Sequence, residues 1–206
     1  MSRVVIVRHG ETVWHAENRY AGLTEIALTD KGLSQAEQLA GWAAKAALSS
    51  IWSSPLKRAV VTAQPSCEST GLKLQIDDRL KELDFGRGEG LTASDMKQQF
   101  PAEYAAFRQD PVAHHLPGGE DPVAAAERTV SALYEIAASG HADARHLVVA
   151  HNTVLRLAVC KLLGIPLHLY RERFPLLQNG AITELIIDNS SVSLLSFNVP
   201  ITTVPR

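Results

Sequence analysis

The side chains best suited to chemistry lie at residues 8–12, where Arg-His-Gly-Glu-Thr follows the apolar run Val-Val-Ile-Val at residues 4–7. Four consecutive apolar, mostly β-branched residues predict a short strand buried on both faces. Arg8 and His9 would then leave the carboxyl end of that strand side by side. Gly10 has no Cβ, so the backbone can turn sharply there or allow a ligand to approach closely.

Three more residues are predicted to join this pair. Arg58 lies in the first turn of a helix predicted after a second strand, and His151 ends another buried strand. Glu82 borders a glycine-rich loop. Each could instead be structural: Arg58 a solvated helix residue, Glu82 a surface charge and His151 a core histidine with its hydrogen bonds satisfied. Ligands of open α/β sheets bind at the carboxyl ends of the strands, so we expect the set to converge there.

Two arginines, two histidines and one carboxylate suit a phosphate dianion. Guanidinium forks bind phosphoryl oxygens bidentately and stay charged at any working pH. A neutral imidazole can attack phosphorus, which divides one difficult displacement into two. A second, protonated imidazole can stabilise the phosphoryl oxygens, and a partly buried Glu can protonate the leaving oxygen if desolvation raises its pKa.

The chain that must position these residues has 206 amino acids, 46% of them apolar, and a net charge of −2. This composition gives no reason to expect binding to nucleic acid or to an anionic membrane. Cys67 and Cys160 are far apart, which predicts a reduced, cytoplasmic protein. No leader is expected because a strand starts within a few residues, and no apolar run is long enough to span a membrane.

Strands alternate with helices along most of the sequence. The fold class is therefore predicted as α/β, with a mainly parallel sheet covered by helices on both faces. Residues 1–206 form one predicted domain, and residues 92–120, the cap segment, interrupt the alternation as a small helical cap. Pro65 should kink or end its helix. Predicted strands cover residues 4–7, 50–53, 72–76, 146–150, 181–187 and 192–197, and the last two are joined by a turn at residues 188–190.

Several motifs resemble those of the histidine phosphatase superfamily, the phosphoglycerate mutase-like proteins. They comprise Arg-His-Gly-Glu-Thr at residues 8–12, Ser-Ser-Pro-Leu-Lys-Arg-Ala at 53–59, Glu-Leu-Asp-Phe-Gly at 82–86, Pro-Gly-Gly-Glu at 117–120 and Val-Val-Ala-His at 148–151. The resemblance implies that His9 accepts the phosphoryl group. It also implies that Arg8, Arg58 and His151 form the phosphate pocket and that Glu82 donates the proton and later activates water.

The chain departs from the family pattern at three positions. His15 stands where the family usually has Asn, Asn152 replaces a Gly after the second His, and Gly88 replaces a frequent Trp. If His15 faces phosphate, its charged form should strengthen binding below its ordinary pKa, about 6.5. Residues His15, Thr24, Arg87 and Asn152 are expected to contact substrate.

The predicted activity is metal-independent hydrolysis of a small phosphomonoester through a phosphohistidine, without a cofactor, in a possible homodimer. A phosphoglycerate mutase dependent on 2,3-bisphosphoglycerate is the alternative, with Arg87 and Arg108 serving a second phosphate. A non-catalytic phosphate-binding module is disfavoured because His9 and Glu82 are both present. A metal site is disfavoured because no carboxylate shares the spacing of its candidate ligands, His114, His115, His141 and His146. The organic part of the substrate could contact Phe100, Tyr104, Phe107, His114, His115 or Leu116, although these could equally be packing residues.

Overall fold

The computed structural model describes residues 1–188 and 191–201. Its strands are β1 (Ser2–Arg8), β2 (Ser50–Ser53), β3 (Leu74–Ile76), β4 (Arg145–Ala150), β5 (Ile182–Ile187) and β6 (Val192–Val199). Its helices are α1 (Asp30–Ala43), α2 (Lys57–Thr70), α3 (Ala93–Gln99), α4 (Pro101–Gln109), α5 (Pro122–Ala138), α6 (Asn152–Leu162) and α7 (Tyr170–Arg173). The predicted turn at residues 188–190 extends outside the described residues.

The described strands form one sheet in the order β3-β2-β4-β1-β5-β6. The strands from β3 to β1 are parallel, and β5 lies antiparallel to both β1 and β6. The carboxyl ends of β1, β2 and β4 therefore meet at one edge of the sheet. This arrangement confirms the predicted α/β fold with a mainly parallel sheet.

Both faces of the sheet are buried, as the apolar strands predicted. Val4 and Ile6 of β1 belong to one hydrophobic cluster, together with side chains of α5 and α6. Val5 and Val7 point to the other face and join a cluster that includes side chains of α1 and α2. The two layers of helices hold β1 in the centre of the molecule, so the position of its last residue is fixed by packing on both sides.

A third hydrophobic cluster lies in and beneath the cap segment. Met96, Phe100, Phe107 and Leu116 pack there against Leu83 and Phe85, and Tyr104 covers them. Phe100, Phe107 and Leu116 are each no more than 3% exposed. They are therefore packing residues, whereas His114 and His115 lie on an exposed turn.

Several element boundaries differ from the sequence-based expectation, among them the start of β3 at Leu74 and the end of β6 at Val199. Helix α2 continues through Pro65 to Thr70 and does not end at the proline. Pro65 has no N–H to donate to the carbonyl of Val61, one turn earlier. Val61 lies on an exposed side of the helix, so water can bind that carbonyl instead. Strand β1 starts at Ser2, before the apolar run, because Arg3 still pairs with Arg145 of β4. In the described part of the chain, no helix combines the length and apolarity that membrane crossing requires.

Candidate active site

The sheet edge brings two of the predicted histidines together. His9 follows the last residue of β1, and His151 follows the last residue of β4. Their ring centroids are 5.1 Å apart, and both rings are buried, His9 at 5% exposure and His151 at 0%. Parallel pairing of β1 with β4 places Arg8 opposite Ala150, which explains why residues 142 positions apart in the sequence meet.

The environment of His9 suits a nucleophile. Nδ1 lies 2.7 Å from the carbonyl oxygen of Gly10, so Nδ1 carries the proton and Nε2 keeps its lone pair. Burial lowers the pKa of His9 well below its ordinary 6.5, and the charges of Arg8 and Arg58 act in the same direction. The imidazole is therefore neutral, the form that can attack phosphorus.

The backbone on either side of His9 is tightly held. The Gly10 N–H donates to Thr62 Oγ1 at 2.9 Å, and Asn179 Nδ2 donates to the His9 carbonyl at 2.7 Å. A Cβ on Gly10 would lie 2.5 Å from the carbonyl oxygen of Gly32, in the first turn of α1. Gly10 is thus required for the close approach of a neighbouring helix backbone, whereas the sequence had suggested a sharp turn or a ligand.

Arg8 is oriented by two partners. Nη1 donates to the Leu177 carbonyl at 2.8 Å, and Nη2 lies 2.6 Å from Nε2 of His15. Nε is buried and has no hydrogen-bond partner among the described residues. Burial lowers the pKa of Arg8 to about 10, which still leaves the guanidinium charged at neutral pH.

His15 is a partner of Arg8, which changes the role predicted for it. Nε2 faces donors, because Arg8 Nη2 lies beside it and Asn179 Nδ2 lies 3.3 Å away. Nδ1 lies 2.9 Å from Thr12 Oγ1, which can accept its hydrogen, so the neutral ring with its proton on Nδ1 suits both sides. A protonated ring would place Nε2–H against the N–H of Arg8. Burial lowers the pKa of His15 to about 4, with the Arg8 charge adding to the effect. The imidazolium expected below pH 6.5 therefore forms only towards pH 4.

Arg58 reaches the site but is already engaged. It is 1% exposed, and its Nη1 and Nη2 donate to the carbonyls of Thr24 and Gly22 at 2.8 and 2.6 Å. Its Nε is buried without a partner in the described part of the chain. These two bonds use two of the five N–H groups of the guanidinium, so Arg58 can offer a phosphate its charge and the N–H groups that remain, that of Nε among them. Thr24, predicted to bind substrate, is exposed and contributes its carbonyl to Arg58.

His151 also has one nitrogen engaged and one without a partner. Nε2 lies 2.7 Å from Ser54 Oγ, and Nδ1 is buried without a hydrogen bond to any described residue. Burial lowers the pKa of His151 well below 6.5, and the charges of Arg58 and His9 contribute. The sequence had suggested a protonated second histidine. Among the protein's own charges the ring is neutral, and Nδ1 can donate if Ser54 O–H donates to Nε2.

Glu82 is buried at the amino terminus of α6. Its carboxylate accepts the backbone N–H groups of Leu83, Thr153 and Val154 at 2.8 to 3.1 Å. Arg128, itself paired with Glu120 at 2.7 Å, donates to the Glu82 carbonyl and holds this segment in place. The carboxylate lines the same cavity as His9.

One cavity of about 390 Å³ is lined by three of the five predicted catalytic residues, whereas Arg58 and His151 are not among the residues that line it. Its walls include Arg8, His9, Glu82 and two of the four predicted substrate-binding residues, His15 and Asn152. Arg87 is not part of the walls, because it is exposed and its guanidinium lies 4.8 Å from the centre of the Phe100 ring. The lining includes Arg108, which the mutase alternative assigned to a second phosphate. It also includes residues that we did not predict as substrate contacts: Trp14, Asn18, Arg19, Tyr20, Ala21, Arg156, Tyr170 and Arg171.

Sequence reasoning missed Asn179, Arg156 and Arg171. Arg156 did carry a signal, because it interrupts the apolar sequence of a buried helix, where an unpaired charge is costly. Asn179 lies in a connection and Arg171 in the four-residue helix α7, and neither has a comparable signal. The described residues contain no group of three or more His, Cys, Asp or Glu placed to hold a metal ion.

Comparisons with known proteins identify the class. A model of the histidine phosphatase superfamily (branch 1) matches residues 4–200. Phosphoserine phosphatase 1 of Hydrogenobacter thermophilus is 31% identical over 167 residues, which cover 81% of this chain and 79% of that protein. The probable phosphoglycerate mutase GpmB of Proteus mirabilis is 32% identical over 190 residues, 92% of this chain and 87% of its own.

Solved structures agree with this result. Bacillus stearothermophilus YhfR matches with a TM-score of 0.90 and 25% identity, over 97% of this chain and 98% of its own. A mycobacterial glucosyl-3-phosphoglycerate phosphatase matches with a TM-score of 0.83 and 29% identity, over 96% and 99%. The chain belongs to the histidine phosphatase superfamily. The predicted family and enzyme class are confirmed: the protein is a histidine phosphatase.

Proposed function

We propose that this enzyme hydrolyses small phosphomonoesters through a phosphohistidine on His9 and needs no metal. The proposal rests on three nitrogen atoms that lack hydrogen-bond partners and belong to residues around the neutral imidazole of His9. Arg8 Nε, Arg58 Nε and His151 Nδ1 are all buried without partners among the described residues. Buried polar groups are normally hydrogen-bonded, so three such nitrogens in residues that surround His9 indicate a site for oxygen atoms of a phosphoryl group.

The first half-reaction would use each of these groups once. His9 Nε2 attacks phosphorus and forms the N–P bond while the ester O–P bond breaks. The charges of Arg8 and Arg58 stabilise the phosphoryl oxygens, and their Nε–H groups donate to them together with His151. Glu82, in its acid form, gives its proton to the leaving oxygen.

The second half-reaction returns the enzyme to its starting state. The Glu82 carboxylate takes a proton from a water molecule, whose oxygen attacks phosphorus while the N–P bond breaks. Inorganic phosphate leaves, and Glu82 is again in its acid form. Two arginines already supply the positive charge that a metal ion would bring, so activity should persist in excess chelator.

A phosphoglycerate mutase is the second candidate, because several arginines line the cavity beyond the phosphate pocket. A mutase must protect its phosphoenzyme from water until the phosphoryl group is returned to a substrate. We expect inorganic phosphate to be released from simple monoesters without added 2,3-bisphosphoglycerate. Little 3-phosphoglycerate should be converted to 2-phosphoglycerate when it is added. Efficient interconversion with negligible phosphate release would establish the mutase instead.

The predictions of a cap, a cellular location and an oligomeric state stay proposals. We propose that the cap segment encloses one side of the cavity, to which Ala93 and Arg108 contribute. A reducing, cytoplasmic location fits Cys67 and Cys160, both buried and free. A homodimer and the absence of nucleic acid as a partner rest on the sequence alone. A panel of phosphorylated metabolites, scored by phosphate release with His9→Ala as the blank, would identify the substrate.

A further inference from the structure

Arg58 is buried at the site without an acidic side chain beside it. No carboxylate of the described residues lies within 4 Å of its guanidinium group. A buried charge is costly unless it is compensated. The carbonyls that accept from its Nη1 and Nη2 belong to Thr24 and Gly22, in one short stretch of loop, residues 22–24. The direction in which Arg58 points therefore depends on where this loop segment lies.

The same loop segment is bound by the carboxylate of Glu89. Both carboxylate oxygens lie 2.9 Å from the Gly22 nitrogen, whose N–H donates to them, and Oε1 also accepts the N–H of Thr24 at 3.0 Å. Glu89 thus binds the amides of the two residues whose carbonyls bind Arg58. A Cβ on Gly22 would overlap Glu89 Oε2 and would lie 2.7 Å from the Leu83 carbonyl oxygen. Gly22 therefore allows the carboxylate to approach the loop backbone closely.

Neutral backbone groups of the loop segment separate the charges of Glu89 and Arg58. Hydrogen bonds to a charged group are stronger than those between neutral groups, so each end of this arrangement holds the loop firmly. Burial lowers the pKa of Arg58, and the charges of Glu82 and Glu89 act against this effect. Glu89 thus provides part of the compensation that Arg58 does not obtain from a direct ion pair.

Glu89 is not suited to contact the phosphoryl group itself. A carboxylate repels a phosphate dianion, and both oxygens already accept backbone N–H groups. The chain next to Glu89 is joined to the same loop, because the Gly90 N–H donates to the Tyr20 carbonyl at 2.9 Å. Tyr20 lines the cavity, whereas Glu89 does not. Any effect of Glu89 on the reaction must therefore pass through the residues that it holds.

We propose that Glu89 is a positioning residue for the reaction: it fixes residues 22–24 so that their carbonyls direct the free N–H groups of Arg58 at the phosphoryl group. This inference rests on the proposed function and deepens it. It makes phosphate binding depend on a carboxylate that does not touch the phosphate. It also assigns a task to the exposed loop segment, which would otherwise be a simple connection.

The test is a double-mutant cycle between Glu89→Gln and Arg58→Lys. Its two readouts are kcat/KM for p-nitrophenyl phosphate, whose leaving group needs little protonation, and the inhibition constant of inorganic phosphate. Glutamine keeps the shape of Glu89 but sets an NH₂ group against the N–H of Gly22. Lysine keeps the charge at position 58 but cannot hold two carbonyls while it also gives phosphate a directed N–H.

Glu89→Gln should lower kcat/KM about 10- to 30-fold when Arg58 is present, as expected for disturbed hydrogen bonds to a charged group. The inhibition constant of phosphate should rise by a similar factor. When position 58 is lysine, the same substitution should change both values less than about threefold, because the group that Glu89 positions is gone. A substitution that merely loosened the fold would give the same factor in both backgrounds.

Glu25→Gln is the matched control for charge. Glu25 follows the loop segment, is exposed and accepts the Lys57 N–H at 2.9 Å, and its charge also acts on Arg58. Glutamine can keep that single bond, so both readouts should stay within about threefold of the wild type. A loss as large as that of Glu89→Gln would show that charge alone matters and would overturn the positioning role.

Urea unfolding checks that Glu89→Gln is folded. If it is not, Glu89→Asp takes its place in the cycle, because a side chain one methylene shorter keeps the charge but withdraws the carboxylate from the loop. No loss in the folded variant, or an equal loss in both backgrounds, would overturn the role of Glu89. The proposed function then still stands, provided that Arg58→Lys itself lowers kcat/KM and that turnover requires His9. If neither holds, both proposals fail.

Discussion

Arg171 is held differently from the arginines near His9. At the His9 end, the guanidinium groups of Arg8 and Arg58 donate to the backbone carbonyls of Leu177, Thr24 and Gly22. The guanidinium group of Arg171 lies 4.6 Å from the centre of the Phe107 ring and also faces Tyr170. Hydrogen bonds to carbonyls fix both the position and the direction of a guanidinium group. Stacking on a ring fixes its plane and allows it to slide.

This difference suggests a division of tasks. Reaction geometry must be held to a fraction of an ångström, which suits groups fixed by the backbone at a sheet edge. A side chain stacked on rings in a short helix, such as Arg171, is not held to that precision. Substitutions at the His9 end should therefore change the rate for every ester.

His9→Ala should give the largest loss. No other described side chain is placed to accept the phosphoryl group, so turnover should fall for every ester, on the order of 10⁴-fold or more. Quenching the wild-type enzyme with labelled substrate should trap a phosphoramidate that survives alkali and is lost in acid. Substantial activity in His9→Ala would refute the phosphohistidine mechanism.

Glu82→Gln should come next. Removal of a general acid should slow hydrolysis of alkyl phosphates by about 10²–10⁴-fold. The loss should be much smaller for p-nitrophenyl phosphate, whose leaving group needs little protonation. The substitution also sets an amide NH₂ against the N–H groups of Leu83, Thr153 or Val154, which disturbs the start of α6. That disturbance would lower both rates equally, so the ratio of the two substrates isolates the role of Glu82 in proton transfer.

Arg8→Lys tests whether the direction of the guanidinium matters at the His9 end. An ammonium keeps the charge but cannot hold Leu177 and His15 while also offering a donor to phosphate. We expect kcat/KM to fall roughly 10- to 100-fold for every phosphomonoester alike. A loss confined to some esters would mean that Arg8 contacts the organic part of the substrate and not the phosphoryl group.

His15→Asn should have the smallest effect on rate, on the order of tenfold or less, because Asn keeps one acceptor for Arg8. Stability should respond more clearly. The pKa of His15 is about 4 in the folded protein, and its ordinary value is 6.5. The unfolded chain therefore binds the extra proton below pH 6.5, and stability falls as the pH drops towards 4.

Urea unfolding at pH 7 and pH 5 measures this difference. Because the His15 ring is partly exposed, we expect the mutant to lose about 1 kcal/mol less stability than the wild type between the two pH values. Phosphate inhibition should show no step near pH 6.5 that depends on His15. If the wild type shows such a step and His15→Asn does not, the original prediction of a charged His15 that faces phosphate would be correct.

The sequence predicted the His9 end well because its residues follow buried strands. A run of β-branched residues that ends in Arg8 and His9 specifies both the strand and the edge at which it ends. The same holds for His151 after β4. Pairing of parallel strands then fixes which residues meet, so topology alone brought the two histidines together.

The partners of these residues could not be read from the sequence in the same way. That His15 would turn its ring to Arg8 depends on the fold of a loop, which has no periodicity to reveal it. Phe100, Phe107 and Leu116 looked equally suited to contact substrate or to pack, and only their burial decided between the two. Arg156 and Arg171 meet at the Tyr170 ring, which is likewise a property of tertiary packing.

The position of β1 in the sheet has a consequence for the order in which the protein can mature. Residues 8 and 9 are synthesised well before Leu177 and Asn179, which hold them, and β1 lies between β4 and β5. A nascent chain that ends before residue 177 would leave the nucleophile strand with one open edge and Arg8 without its carbonyl partner. The catalytic turn can therefore be completed only after Asn179 has left the ribosome. Until β5 pairs with it, the open edge of β1 is a surface on which another chain could pair.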